Sequence, residues 1–457
     1  MIRLSWSQPE DLVAHELVAG AQEGRQVSDV ADRWSAAGGS LDAAVNGATS
    51  EPADPVLRAL ARVLLAELDD LPVPGALLRA EPNGLHDIRA ASHTSVDAID
   101  SHAEAGKLDT LLDRIHGAWL GRAAGCLLGK PVEKIPREGV RAVLESTGRW
   151  PLNDYFTEVG LDPAVAARYP WNRRSRATSL AENITGMPED DDLNFPLIAL
   201  QLLEQHGRDF TTDDVAVAWL ANLPGGRVFT AERIAYRNLL AGHEPEFAGS
   251  IQNPFREWIG AQIRTDLYGW THPGNPALAA ELAWRDARLS HSRSGIYGAM
   301  FVAAACSAAV VDATISEVID AGVSVIPWES RYAAAVRRAR ELGESDLGDE
   351  LAIDALYEDY GDLHWVHAIN NAALVVFALV RSGGDFERAI TLAVMGGWDT
   401  DSDGATVGSI CGALAGAGGL PARWIDPLQN RLASSIPGFD GIGFDELARR
   451  TVAVATG

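Results

Sequence analysis

An all-α fold is the class this sequence predicts, with a large multi-helix core preceded by a small helical N-terminal extension. Three observations predict it. No segment of any length alternates apolar and polar residues with the period of two that a half-buried strand requires. Apolar residues recur instead at helical spacing, as in Leu108, Leu111, Leu112, Ile115 and Trp119. On that same stretch Gly117, Gly121, Gly125 and Gly129 fall four apart, nearly on one helical face. Each interior glycine costs about 1 kcal/mol against alanine, so four together imply close backbone approach of a second helix and a central place for this one.

Taken in order, residues 11–70 predict short amphipathic helices over 11–22 and 55–68, parted by a Gly-, Ser- and Pro-bearing stretch over 38–55. Residues 82–105, poor in aromatics and rich in His, Ser, Asp and Ala, read as a linker. The chain is therefore divided into an extension with its linker over 1–105 and a catalytic domain over 106–457. After the glycine helix, residues 149–187 carry Trp150, Tyr155, Phe156, Tyr169, Trp171 and the basic run Arg173-Arg174-Ser175-Arg176 without periodicity. This long irregular excursion is a candidate lid. Helices are expected over 213–220, 230–240 and 253–263, then a loop of aromatic and polar character over 264–276. The apolar run 295–311 is short for a membrane span and rich in Ala, Ser and Gly, so it predicts a helix buried in protein. A helix over 364–381 would put His364, His367 and Asn371 on one face as polar lining of a cleft.

The 457 residues carry 63 acidic against 38 basic side chains, a formal net charge of −25. That balance argues against nucleic acid as a partner, because affinity for phosphate backbones rests on Lys and Arg. It favours cation binding. Three scattered cysteines, Cys126, Cys306 and Cys411, lie in apolar or small-residue stretches whose spacing fits neither a zinc site nor a disulfide framework. Reduced buried thiols, the lack of an apolar signal core in the first ten residues and the absence of a membrane span are compatible with the cytoplasm.

Two acidic clusters carry the chemistry. Gly396-Gly397-Trp398-Asp399-Thr400-Asp401-Ser402-Asp403-Gly404 places three aspartates at alternate positions where a glycine turn feeds a helix. About two hundred residues earlier, Glu189-Asp190-Asp191-Asp192 precedes an apolar helix. Acids at a helix start are favoured by its dipole, but four in succession exceed what capping needs. So much negative charge calls for a cation, and carboxylates with hydroxyls suit Mg²⁺, Mn²⁺ or Ca²⁺. The spelling Asp399-x-Asp401-x-Asp403-Gly404 also begins like an EF-hand loop. That reading fails at the twelfth position, where a bidentate acid is required and Ile410 stands.

Glu189 to Asp192, Ser290-His291 and Asp399-Thr400-Asp401-Ser402, in this order, resemble the three motif blocks of the ADP-ribosylglycohydrolase family, of the dinitrogenase reductase-activating glycohydrolase type. The segment from Gly117 through Pro131 to Glu133 is similar to the family's opening helix and the glutamate after it. The resemblance spans roughly residues 108–430. It implies a large orthogonal multi-helix core and a metal-dependent hydrolase that cleaves an N- or O-glycosidic bond at the anomeric carbon of a ribosyl group. It implies two Mg²⁺, with Mn²⁺ possible, held by Glu189, Asp190, Asp191, Asp399, Asp401 and Ser402, with Asp403 behind them. Asp191 would position or deprotonate water, with Glu133 assisting beside the metals. His291, Arg264, Trp398, His367 and Asn371 would contact the substrate, a small-molecule ribosyl or ADP-ribosyl conjugate. The family's glycine-rich diphosphate segment is replaced here by residues 264–276, which favours a small ribosyl compound. A non-enzymatic relative of the lens-crystallin kind and a two-metal phosphoester hydrolase are the alternatives.

Overall fold

The computed structural model of the protein describes residues 3–92 and 108–457. The fold is all-α: among the described residues no strand forms, and only three isolated bridges join extended segments. Two antiparallel helices, Leu108–Gly129 and Thr400–Ala415, form its axis. A methyl group at Gly117, Gly121, Gly125 or Gly129 would collide with a carbonyl oxygen of Gly412, Gly408, Gly404 or Thr400 respectively. The reverse holds for Gly404, Gly408 and Gly412 against Gly125, Gly121 and Gly117. The glycine face thus meets a matching glycine face, and backbone contact supplies the compensation that four helical glycines require. Thr400 Oγ1 donates to Gly129 O at 2.9 Å and ties the end of one helix to the start of the other.

Around this pair, Ser294–Ala309 is buried along all its length. At sixteen residues it is a core helix, and no helix among the described residues is long and apolar enough to cross a membrane. Ala368–Ser382 and Arg331–Glu344 pack as a further layer. The expected helix over 253–263 does not form. Pro254 disfavours helical backbone at Asn253, whose amide instead donates to Gly249 O and Ser290 O. The following backbone pairs outward, Ile259 N to Val366 O at 2.9 Å, before a 3₁₀ turn Ile259–Arg264. Residues 264–276 are likewise no open loop, since Asp266–Trp270 is a short helix with Leu267, Tyr268 and Trp270 fully buried.

The N-terminal extension comprises the helices Pro9–Gln22, Ser28–Ala36, Pro55–Asp70, Gly75–Ala80 and Leu85–Ala91. Its apolar side, with Trp6, Leu12, Val13, Trp34 and Leu64, shares one cluster with Phe255, Trp258, Ile259 and Val366 of the larger part. Buried charges cross the same boundary: Arg256 pairs with Glu16 at 2.8 Å and Glu23 at 2.6 Å, and Arg293 also reaches Glu23. Removing either side would strand desolvated charges. Of the expected linker, residues 93–105 lie outside the described residues. Its beginning is packed, with Ile88 fully buried and Tyr297 donating to Pro82 O at 2.6 Å.

This boundary predicts acid lability. Burial pushes His15 down to about 4, His364 to about 3 and His367 to about 4 from 6.5. Below pH 6.5 the unfolded chain gains protons on these rings that the fold refuses, so stability is lost as pH falls towards 4, by roughly 3 kcal/mol for His15. Asp69, raised to about 6 by burial and Glu16, opposes this in part, because the fold binds its proton more tightly. The expected result is a melting temperature that drops between pH 7 and 5, and a shallower drop in His15→Phe.

Candidate metal centre and active cleft

The acidic clusters meet at the floor of one cleft of about 1250 Å³. Asp190 is the N-cap of the helix Asp191–His206, accepting from Asp192 N at 2.9 Å. Burial opposes its charge, but its ion pair with Lys130 and the capping N–H hold its carboxyl below the usual range. Asp192 accepts from Arg122 at 3.2 Å and from Ser402 Oγ at 3.2 Å. Arg122, wholly buried, also pairs with Asp266 at 2.8 Å and so locks the glycine helix to the start of the acid-bearing helix. Thus Asp190 and Asp192 each own a cation. Glu189 also lines the cleft, paired with Arg227 at 2.9 Å and accepting from Asn194 at 3.3 Å.

Among the described residues Asp191, Asp399 and Asp401 have no ion-pair partner of their own. Burial, then Asp190, Asp401 and Glu133, raise the Asp191 carboxyl far above its ordinary range. Burial, then Asp401 and Glu133, do the same to Asp399. Asp401 is pushed up to about 7 by burial, Glu133 and Asp190, against the pull of Lys130. Its buried Oδ1 has no hydrogen-bond partner. Glu133, just beyond the glycine helix, accepts from Asn172 Nδ2 at 2.6 Å and pairs with Lys134 at 3.2 Å. Carboxylates crowded in this way are short of positive charge, which a divalent cation would supply.

Cys126, Asp190 and Asp192 also form a possible metal site, with ligand atoms within 4.8 Å of one another. Burial and the two aspartates push the Cys126 thiol up, so it stays protonated, and Lys130 and Arg122 already neutralise its neighbours. The donor chemistry therefore favours the oxygen set of Asp191, Asp399 and Asp401 over this group. Among the described residues no three of those acids converge as tightly, so an ion there would be bridged by water or would draw the carboxylates inward.

Several expected substrate contacts lie elsewhere. Arg264 is consumed by Asp286 and Glu232 at 2.6 Å each and by Ser290 Oγ at 2.9 Å, under Trp219. His291 bonds Ser290 Oγ at 2.8 Å and is buried behind Glu232. Trp398 stacks on Tyr357 with ring centroids 4.4 Å apart. The helix expected over 364–381 begins only at Ala368, with His367 as its N-cap, so His364 and His367 share no helical face with Asn371. His364 stacks on Trp258. Asn371, fully buried, accepts from Asp399 N at 3.1 Å and donates to Trp365 O and His367 O, which makes it a positioning residue for the aspartate turn. None of these six side chains borders the cleft. Asp403 is fully buried, both carboxylate oxygens lack a partner among the described residues, and burial and then Asp401 push its carboxyl far above the ordinary range.

The cleft wall includes residues the sequence did not single out: Lys130, Asn172, Trp365, Phe229 and, from the N-terminal extension, Ser5, Trp6 and Asn46. Lys130 could have been found by its place one turn before Glu133. The extension residues carry no periodicity or motif that points to a site.

The profile of the ADP-ribosylglycohydrolase family matches residues 107–456. A protein of Archaeoglobus fulgidus, itself uncharacterized, is 28% identical over 323 residues, which is 70% of this chain and 92% of the relative. A solved structure described as an ADP-ribosylglycohydrolase-related protein complex aligns with a TM-score of 0.47 at 23% identity, covering 76% of this chain and 98% of that one.

Proposed function

The chain belongs to the ADP-ribosylglycohydrolase family, and from that premise we propose that it is a divalent-metal-dependent glycosidase that releases a ribosyl group from a small ribosyl or ADP-ribosyl conjugate. The observation that carries the reading is the crowding of half-buried Asp191 with buried Asp399 and Asp401 beside Glu133, all three carboxyls raised, with an orphaned oxygen on Asp401. These residues, with Ser402 and the neighbouring Asp190 and Glu189, would hold two ions, Mg²⁺ or Mn²⁺ by their oxygen chemistry. When bound, such ions neutralise the cluster and polarise oxygen groups presented to them. The protein's own contribution is placement. Lys130 and the Asp192 N–H fix Asp190, Asn371 fixes the Asp399 backbone, and the Ser402 hydroxyl is aimed at Asp192.

Asp191 is the proton acceptor of this proposal. It stands at the first helical position, and burial with Asp190 and Asp401 raises its affinity for a proton well above that of an ordinary carboxylate. Glu133, half-buried and tethered by Asn172, can approach the same point and share that proton. Ribosyl release and phosphate release, each measured with Mg²⁺ and with chelator, test the reading in one assay. Mg²⁺-dependent ribosyl release is expected. Phosphate release instead would make the protein a two-metal phosphoester hydrolase, and neither product would favour a non-enzymatic relative.

A further inference from the structure

The turn that carries Asp399 is not one its own residues would hold. Gly397 and Trp398 both have positive φ, 85° and 55°, a region that a bulky side chain such as tryptophan enters only where the surroundings impose it. Asp399 is the N-cap of the helix Thr400–Ala415, yet its side chain makes no capping hydrogen bond. Support comes from outside. Tyr357 stacks on the ring of Trp398 with centroids 4.4 Å apart, and Asn371 holds the backbone of Asp399. Asn371 Nδ2 donates to Trp365 O and to His367 O at 2.8 Å each, which fixes the amide so that its Oδ1 accepts from Asp399 N at 3.1 Å. Where residues 364–367 stand therefore decides where the backbone of Asp399 stands.

Those residues form a turn, closed by His367 N donating to His364 O at 2.8 Å, and it is gripped from two sides. From the larger part, Ile259 N donates to Val366 O at 2.9 Å, Ala368 N donates to Glu257 O at 3.1 Å, and Trp258 stacks on His364 with ring centroids 4.2 Å apart. From the extension, Trp6 and His15 stand edge-on to His364, at 6.2 and 6.0 Å, and edge-on to Trp258, at 5.5 and 5.8 Å. The same strip carries the charges on which the extension docks. Arg256 pairs with Glu16 and Glu23, while Glu257 pairs with Arg293 and Arg331, which themselves reach Glu23 and Glu81. The extension lies outside the family match. We infer that it is a positioning element for the aspartate turn: His15 and Trp6 clamp residues 364–367 against Trp258, the carbonyl oxygens of that turn orient Asn371, and Asn371 sets the backbone of Asp399. His15, His364 and Asn371 do not border the cleft, so they act through Asp399 and not on a substrate. Docking of the extension and binding of an ion at Asp399 are thereby coupled, each strengthening the other.

The inference rests on the metal reading only for what the turn holds, and amide exchange decides it without any ion. Hydrogen exchange read by mass spectrometry in chelator compares the full-length protein with two variants, His15→Ala, which removes part of the clamp, and Glu16→Gln plus Glu23→Gln, which weakens the docking charges. Peptides spanning residues 397–403 should exchange faster by about tenfold in both variants. The buried helix Ser294–Ala309 should keep its protection, and Arg33→Gln, which alters an exposed pair with Glu67 elsewhere on the extension, should match the unaltered protein. Unchanged exchange over 397–403 in both variants overturns the inference, and so does an equal loss of protection in Ser294–Ala309, which would be general destabilisation. In a calorimetric titration Mg²⁺ should bind about tenfold more weakly to both variants and to Asn371→Ala, and saturating Mg²⁺ should slow exchange over Pro9–Gln22 in the unaltered protein. Affinity equal to that of the unaltered protein in the two extension variants, or no slowing over Pro9–Gln22 when Mg²⁺ is bound, overturns the coupling. No Mg²⁺ binding by the unaltered protein sinks the metal reading instead, and exchange over 397–403 then decides the positioning role by itself.

Discussion

Asp399→Ala combined with Asp401→Ala is expected to abolish ribosyl release, a loss on the order of 10³-fold or more, because several kcal/mol of transition-state stabilisation depend on cations these carboxylates would hold. The same variant should become more stable without metal. Burial raises both carboxyls, Asp401 and Glu133 raise Asp399 further, and Glu133 and Asp190 raise Asp401, so the apo fold bears the cost of crowding them. Thermal melts with chelator should place the variant above the unaltered protein, and the increment that Mg²⁺ gives should vanish. A variant that keeps its metal titration, or melts lower in chelator, would remove these two residues from the site. Opposite signs in activity and stability distinguish a functional cluster from a merely structural one.

Gly125→Ala is the second large effect, and it needs no ligand. The added methyl would meet the backbone of Gly404, which cannot rotate aside as a side chain can. Overpacking against side chains usually costs about 1–3 kcal/mol; against a carbonyl on the axis of the fold, about 3 kcal/mol or more is expected. The control is Gly348→Ala, where nothing lies within 4 Å of the new carbon. Urea midpoints measure both. Because Thr400 and Asp401 begin the partner helix, a shifted helix pair should also displace the aspartate turn, so surviving Gly125→Ala protein should bind Mg²⁺ more weakly.

Much of the axis and floor was legible in the chain. Four glycines at i, i+4 spacing announce a face without side chains, and only another backbone can fill it. The two acid runs announce their own meeting, because charge of that density is unstable unless shared with a cation. The helix over 230–240 and the buried helix expected from the short, small-residue apolar run 295–311 both form. Where prediction failed, a tertiary bond had replaced a local one. The segment 253–263 has helical composition, but Asn253 and Ile259 give their hydrogen bonds to distant loops. His367 was assigned to a helical face and instead caps the helix after it.

The sequence by itself determined the all-α class and the central place of the glycine helix, and it singled out the two acid runs, since these depend on periodicity and on charge density within a few consecutive residues. Tertiary structure alone decided which polar residues face the cleft. Arg264, His291 and Asn371 have the chemistry of ligand contacts, yet each is spent on neighbours brought from elsewhere in the chain: Asp286 and Glu232 for Arg264, Ser290 for His291, and the Asp399 backbone for Asn371. Ser5, Trp6 and Asn46 reach the same cleft from the far end of the sequence, through a docking surface of buried ion pairs and aromatic contacts. A side chain's chemistry is local, whereas its freedom to meet a ligand depends on whether a distant partner has already satisfied its hydrogen bonds and charge.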